Sequence, residues 1–204
     1  AEAIAASGMT PEISDPRKFA APVDPGSVHQ GAALEVRALN WGSLEEVCMA
    51  GDGPVVLLDR VTDPHNVGAV LRSAEVFGAR AVIAPARASA PETGALAKTA
   101  SGALERQPYL RVRNLSDAMR RLQDMGFALL GLDGTAALTL QQGLAALEPG
   151  RPVGLVLGAE GPGMREKPRL TCDHLVRIDP AGAFGSLNVS NAAAVALFAA
   201  TRAG

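Results

Sequence analysis

The stretch at residues 55–85 reads VVLLDRVTDPHNVGAVLRSAEVFGARAVIAP, and its pattern decides the fold. Val55-Val56-Leu57-Leu58-Asp59 is a short apolar run bounded by Gly53-Pro54, which predicts a strand buried on both faces. Over 66–77 the residues Val67, Val70, Leu71, Ala74 and Phe77 recur at helical spacing, and Gly78 supplies a helix stop. A second apolar run at 81–84 ends at Pro85. Strand, helix and strand in that order form one βαβ unit, the connection that parallel strands require.

The alternation continues toward the C-terminus. Helices are expected over 93–101, over 116–125 with Met119 and Leu122 inward and Gly126 as the stop, over 141–147 and over 189–202. Strands are expected over 109–112, 127–132, 153–157 and 175–178. This pattern predicts an α/β domain over 51–204, a mostly parallel sheet with helices on both faces. Residues 1–50 read differently. Pro11, Pro16, Pro22 and Pro25 punctuate a linker-like stretch in which only 33–39 has a strand pattern, followed by a short helix over 43–50.

Composition narrows the function. The chain has 204 residues, 48% of them hydrophobic and 20% charged, so it can bury a core. A formal charge of −2 argues against coating nucleic acid by bulk electrostatics, while leaving room for a local basic patch. Aromatics at 3% argue against platforms that stack bases. Arginine outnumbers lysine 16 to 3, which fits a GC-rich coding bias. The longest apolar run, 192–200, is nine residues, short of a membrane span. No basic segment followed by an apolar stretch marks a secretory leader, and the chain opens on Ala1 as a trimmed chain does. Cys48 and Cys172 stand far apart without a C-x-x-C pair, which excludes a zinc ribbon and fits a reducing cytoplasm. His29, His65 and His174 are scattered, so no metal site is expected.

The common nucleotide motifs are absent. The turn after the first strand lacks G-x-G-x-x-G, no G-x-x-x-x-G-K-[ST] occurs, and Ser186 lacks the flanking glycines of a nucleophile elbow. The glycines sit late, in GAEGPG at 158–163, directly after a strand. Ligands of open α/β sheets bind at the carboxyl ends of strands, and Glu160 is placed there to meet a ligand or a partner cation. Two further polar segments begin helices. One is DPHNVGAVLRSAE at 63–75, where Asn66 can start the helix and Arg72 falls ~120° around it. The other is SLNVSN at 186–191, entering an Ala-rich helix. Each cluster alone reads as a helix cap; three at strand ends and helix starts mark a site.

Together, Asp63-Pro64-x-Asn66-x-Gly68-x-x-x-Arg72, the Gly158-x-Glu160-Gly161-x-Gly163 turn and Ser186-Leu187-Asn188-Val189-Ser190 resemble the three motifs of the SpoU family, in that family's order and spacing from about Val55 to Arg202. Members are S-adenosyl-L-methionine-dependent RNA ribose 2′-O-methyltransferases with a trefoil-knotted α/β fold. Ser101-Gly102-Ala103 and residues 109–114 further resemble the branch that methylates a guanosine of large-subunit ribosomal RNA, and Gly26-Ser27-Val28-His29-Gln30-Gly31 resembles the end of that branch's small N-terminal RNA-recognition domain. The resemblance implies a knot, a homodimer with its site near the interface, and an RNA partner, ribosomal or transfer. Residues 1–50 would be a remnant of the N-terminal domain plus linker.

Carried over residue by residue, it assigns the catalytic group to Asn66, Arg72, Glu160, Ser186 and Asn188. Arg72 is central, Asn66 and Glu160 position it, and Ser186 and Asn188 order the pocket. Leu157, Gly158, Ile178, Pro180 and Leu187 would line the S-adenosyl-L-methionine site. The sequence departs from the family at Ile178-Asp179-Pro180, where Ile-Pro-Met is usual, and Pro180 removes a backbone N–H from that rim. Because a guanidinium stays charged at neutral pH, Arg72 is expected to hold phosphate and stabilise a developing alkoxide. Two alternatives stay open. One is a non-catalytic RNA-binding module on the same fold; the other is a nicotinamide oxidoreductase, which the missing dinucleotide fingerprint disfavours.

Overall fold

A computed structural model describes residues 4, 6–15, 18, 31–182 and 185–202. The chain divides into two compact units, 1–38 and 39–204. In the first, residues 31–38 form no regular element, with Leu34 and Val36 exposed. The strand expected over 33–39 is therefore absent; a strand needs a ladder partner, and no described residue pairs with this segment. Pro16, Pro22, Pro25 and all but the last residue of the 26–31 segment lie outside the described residues.

The second unit holds a seven-stranded sheet in the order β3-β2-β1-β6-β4-β7-β5, every pairing parallel. Its strands are β1 (Val55–Asp59), β2 (Ala81–Pro85), β3 (Tyr109–Val112), β4 (Ala128–Leu132), β5 (Leu138–Thr139), β6 (Val153–Gly158) and β7 (His174–Arg177). The helices are α1 (Leu44–Met49), α2 (Pro64–Val76), α3 (Gly94–Ala100), α4 (Leu115–Asp124), α5 (Leu140–Ala145), α6 (Glu166–Thr171) and α7 (Val189–Ala200).

Alternate β1 side chains feed two cores. Val56 and Leu58 pack with Val67, Val70 and Leu71 of α2 and Ala193, Ala196 and Leu197 of α7. Val55 and Leu57 pack with Leu44 and Cys48 of α1 and Met119 and Leu122 of α4. Both faces of the sheet are thus covered, as expected for parallel strands that read as continuous apolar runs. Burial raises the Cys48 thiol to about 11, so it behaves as a small apolar core residue.

Local differences from the sequence pattern have simple causes. Helix α2 starts at Pro64 with Asp63 as its N-cap, accepting from the His65 amide at 2.9 Å, so Asn66 is not the cap and its side chain is free for other bonds. Gly68 lets α2 lie against α3: a Cβ there would stand 2.8 Å from the Thr99 Cβ and 2.9 Å from the Ala100 amide. Helix α6 has no counterpart among the expected elements; Pro168 sits in its first turn, where proline is tolerated.

Candidate active site

Three chain segments converge at the carboxyl ends of β1 and β6. The first is the opening turn of α2, which carries Asn66. The second is the turn after β6, which carries Glu160. The third is the residue before α7, Asn188.

Glycine builds the middle segment. After β6 the chain folds straight back, with the Gly163 amide donating to the Ala159 carbonyl at 2.9 Å. A Cβ on Gly158 would lie 2.1 Å from both the Gly163 carbonyl carbon and the Met164 nitrogen, so no other residue fits there. The far end of the turn is tied to β1. Asp59, fully buried at the end of that strand, accepts from the Arg165 amide at 2.8 Å and from its Nε and Nη2 at 2.9 and 2.7 Å. Sequence reading missed this pair. Its signal was available: a carboxylate closing an otherwise apolar buried strand needs a cationic partner.

Within this frame the Glu160 carboxylate gathers the other two segments. Its Oε1 accepts from Asn66 Nδ2 at 3.2 Å, from Asn188 Nδ2 at 2.5 Å and from the Val189 amide at 3.3 Å. Asn188 Nδ2 also donates to Asn66 Oδ1 at 2.9 Å. At its other end, Asn188 Oδ1 accepts from the Ser190 amide and hydroxyl at 2.8 and 2.5 Å, which makes Asn188 the N-cap of α7. Asn66 lies in the first turn of α2 and Val189 opens α7, so the positive ends of two helices meet on one carboxylate. Ser190, quoted in the third motif but given no site role there, joins this set.

Asn66, Glu160 and Asn188 are therefore brought together. Arg72 lies farther along α2, exposed, with no hydrogen bond or ion pair to a described residue, and Ser186 is exposed beside Asn188 in sequence but outside the bonded cluster. Leu157 is buried in the core with only its backbone at the strand end, and Gly158 follows it. Ile178 is half-buried just beyond β7, Pro180 is exposed, and Leu187 is 46% exposed. Asp179 turns back to accept from Arg177 Nε at 2.7 Å. In the sheet order β4 lies between β6 and β7, so the turn after β4, with Asp133, belongs to the same edge. The Asp133 carboxyl is held below the usual range by the Thr135 hydroxyl first and by Arg169 next.

The pattern of the SpoU rRNA Methylase family matches residues 53–198, which span all three converging segments. The chain belongs to this family. Among curated relatives, it is 43% identical over 181 residues to the 23S rRNA (guanosine-2′-O-)-methyltransferase RlmB of Vibrio vulnificus, covering 87% of this chain and 72% of that protein. The protein of the same name from Ralstonia nicotianae is 46% identical over 177 residues, covering 85% and 70%. Among solved structures, the SpoU methyltransferase AviRb from Streptomyces viridochromogenes, in complex with the cofactor AdoMet, superposes with a TM-score of 0.67 at 29% identity. That match covers 78% of this chain and 61% of AviRb, so the present chain spans less than two thirds of its length. An AdoMet-bound rRNA methyltransferase from Sinorhizobium meliloti gives a TM-score of 0.70 at 26% identity, covering 80% and 61%.

Proposed function

We propose that this SpoU-family chain transfers a methyl group from S-adenosyl-L-methionine to the 2′-hydroxyl of a guanosine ribose in 23S ribosomal RNA. The observation that carries the reading is the bonded set Asn66–Glu160–Asn188, three motif residues from distant parts of the chain held at one strand edge, in a chain whose relatives bear that activity in their names.

The methyl donor supplies a methyl carbon activated by a sulfonium. Its rim is proposed to be the backbone of Leu157 and Gly158, the half-buried Ile178, Pro180 and the exposed Leu187, an apolar and carbonyl-rich set that suits a flat nucleoside. Glu160 locks the ends of α2 and α7 together, and with Asn66 and Asn188 fixes where the ribose sits; orientation of this kind supplies much of the rate in methyl transfer. Arg72 has no anion among the described residues to neutralise it. It is free to hold the nucleotide's phosphate and to stabilise the alkoxide as the 2′-proton leaves to a phosphate oxygen or to water. Ser186, exposed beside this cluster, is proposed to order the segment that leads to Asn188.

The trefoil knot belongs to the same proposal. Strand β6 is inserted between β1 and β4, β7 between β4 and β5, and the chain then returns to lay α7 on α2. Such repeated insertion supports threading of the C-terminal segment. A homodimer is proposed through the exposed apolar residues Val76 of α2 and Val195 and Phe198 of α7. Arg72 and Val76, four residues apart, share one face of α2, so dimerisation would bring Arg72 to the interface. Residues 1–50 are proposed as the remnant of an RNA-recognition domain plus linker, and the chain as a cytoplasmic protein.

Two measurements test this. Titration calorimetry with S-adenosyl-L-methionine, with NAD as control, is expected to give micromolar binding of the methyl donor alone. Transfer of labelled methyl groups is then expected to favour a 23S transcript over transfer RNA. Arg72→Ala is expected to retain donor binding and lose turnover; wild-type turnover in that variant refutes its role.

A further inference from the structure

The structure has a cleft of about 570 Å³ lined by Arg60, Arg87, Arg113, Arg165 and Lys167, together with Asn114 and Ser116 at the start of α4. It lies across the carboxyl ends of β1, β2 and β3, beside the strand end that carries the Asn66–Glu160–Asn188 cluster.

Every charged side chain that lines it is a cation. Arg60, Arg87, Arg113 and Lys167 form no ion pair with a described residue. Arg165 is aimed by the buried Asp59 through Nε and Nη2, which leaves Nη1 without a partner among the described residues. The ten-residue helix α4 adds the positive end of its dipole, and the one acid in its first turn, Asp117, is paired with Arg120 at 2.9 Å. Five cations with one buried counter-charge, in a chain of net charge −2, do not arise from composition. Two non-glycine residues of the lining, Arg60 (φ 62°) and Ala88 (φ 60°), are also held in left-handed backbone.

We propose that this cleft is a track for the RNA sugar-phosphate backbone, gripping phosphates beside the nucleotide whose ribose lies at the Glu160 cluster. The proposal rests on the methyltransferase reading above and deepens it by naming where the substrate strand runs. The geometry fits: β6, β1, β2 and β3 are successive neighbours, so the cluster and the far wall of the cleft stand three strand spacings apart, roughly 15 Å. That is a span of a few nucleotides. With aromatics scarce and arginines abundant, affinity falls to phosphate contacts in place of base stacking. Arginine suits this role because its fork meets phosphate oxygens in pairs.

The test uses Arg87→Ala/Arg113→Ala, since both side chains are exposed and have no ion pair with a described residue, with Arg87→Lys/Arg113→Lys as the charge-retaining control. Binding of a 23S transcript is followed across a salt series, alongside methyl transfer and calorimetry with S-adenosyl-L-methionine. The alanine pair is expected to bind the transcript at least about tenfold more weakly and to lower the slope of log K against log salt by about 1.4, for two phosphate contacts on a single strand. KM for RNA rises accordingly, while donor affinity and kcat at saturating RNA stay within twofold; the lysine pair recovers most of the slope. An unchanged slope and affinity in the alanine pair, with wild-type transfer intact, overturns the track and leaves the methyltransferase reading standing. Wild type that binds the donor yet transfers nothing to the transcript overturns both. Tight binding of inorganic phosphate by the wild type, lost in the alanine pair without a change in RNA affinity, makes the cleft a small-anion pocket and also overturns the track.

Discussion

Replacing Glu160 by alanine removes the one acceptor shared by Asn66, Asn188 and Val189. Three hydrogen bonds are lost, at 3.2, 2.5 and 3.3 Å. A charge-assisted bond that could not be replaced would cost ~1.5–3 kcal/mol, but Glu160 is exposed and water can serve each donor, so each loss is nearer ~0.5 kcal/mol. Loss of the favourable interaction with two helix N-termini adds ~0.3–1 kcal/mol for each. The total is about 2–3.5 kcal/mol, or about 4–14 °C in Tm for a domain of this size. Against a net stability of ~5–15 kcal/mol this leaves the chain folded at 25 °C. Turnover responds differently, because a displacement of ~1 Å in a positioned group can cost ~10²-fold in rate. We expect Glu160→Ala to lose about a hundredfold in kcat/KM for transfer of labelled methyl groups to a 23S transcript, with wild-type circular dichroism at 25 °C. Glu160→Gln keeps an acceptor oxygen and should lie between the two. Transfer by Glu160→Ala within threefold of wild type would refute the reasoning, because the cluster would then be a clasp between helices and nothing more.

Two further outcomes follow from other bonds. The Asp133 carboxylate accepts from the Thr135 amide and hydroxyl at 2.9 and 2.6 Å and from Arg169 Nε at 2.9 Å, and its pKa is lowered in the fold. Its contribution is therefore complete above the ordinary carboxylate value and vanishes as pH falls through the lowered one; Asp133→Asn should cost about 1–2 kcal/mol in urea unfolding at pH 7, and the gap should close in acid. Gly158→Ala must displace backbone, since its Cβ would overlap Gly163 and Met164, and it should sharply lower transfer, with a stability loss above ~3 kcal/mol in the same unfolding assay.

The central strands were legible because burial on both faces leaves an unbroken apolar run, as in β1, β2 and β6, which no surface segment imitates. The stretch at 33–39, ALEVRAL, alternates apolar residues with Glu35 and Arg37 as a half-buried strand would, but no described residue pairs with it, and hydrogen bonding decides against it. Strand β5, two residues long, is too short to show a period, and α6 hides its first turn behind Pro168. Strand order was not legible at all: nothing local in β6 records that it is inserted between β1 and β4. In the site, Asn66, Glu160 and Asn188 could be named from three motifs, but their mutual bonds depend on that order. Asn66 looked like a cap until Asp63-Pro64 took the role and released its amide.

What joins the cluster to the basic cleft is the single turn after β6. Glu160 on it fixes α2 and α7, and Arg165, five residues on, is bonded to Asp59 at the end of β1 and faces the cleft. A rigid turn of this kind places the point of reaction and the grip on the strand at a set separation, which is what a ribose methyltransferase must control to choose one nucleotide. The two functions should then separate under one kind of substitution and fail together under another. Arg87 and Arg113 lie off the turn, so their loss weakens the grip and leaves the rate at saturating RNA alone. Gly158 lies at its root, so a Cβ there should impair RNA affinity and turnover at once, in proportions that no additive pair of cleft and cluster variants reproduces.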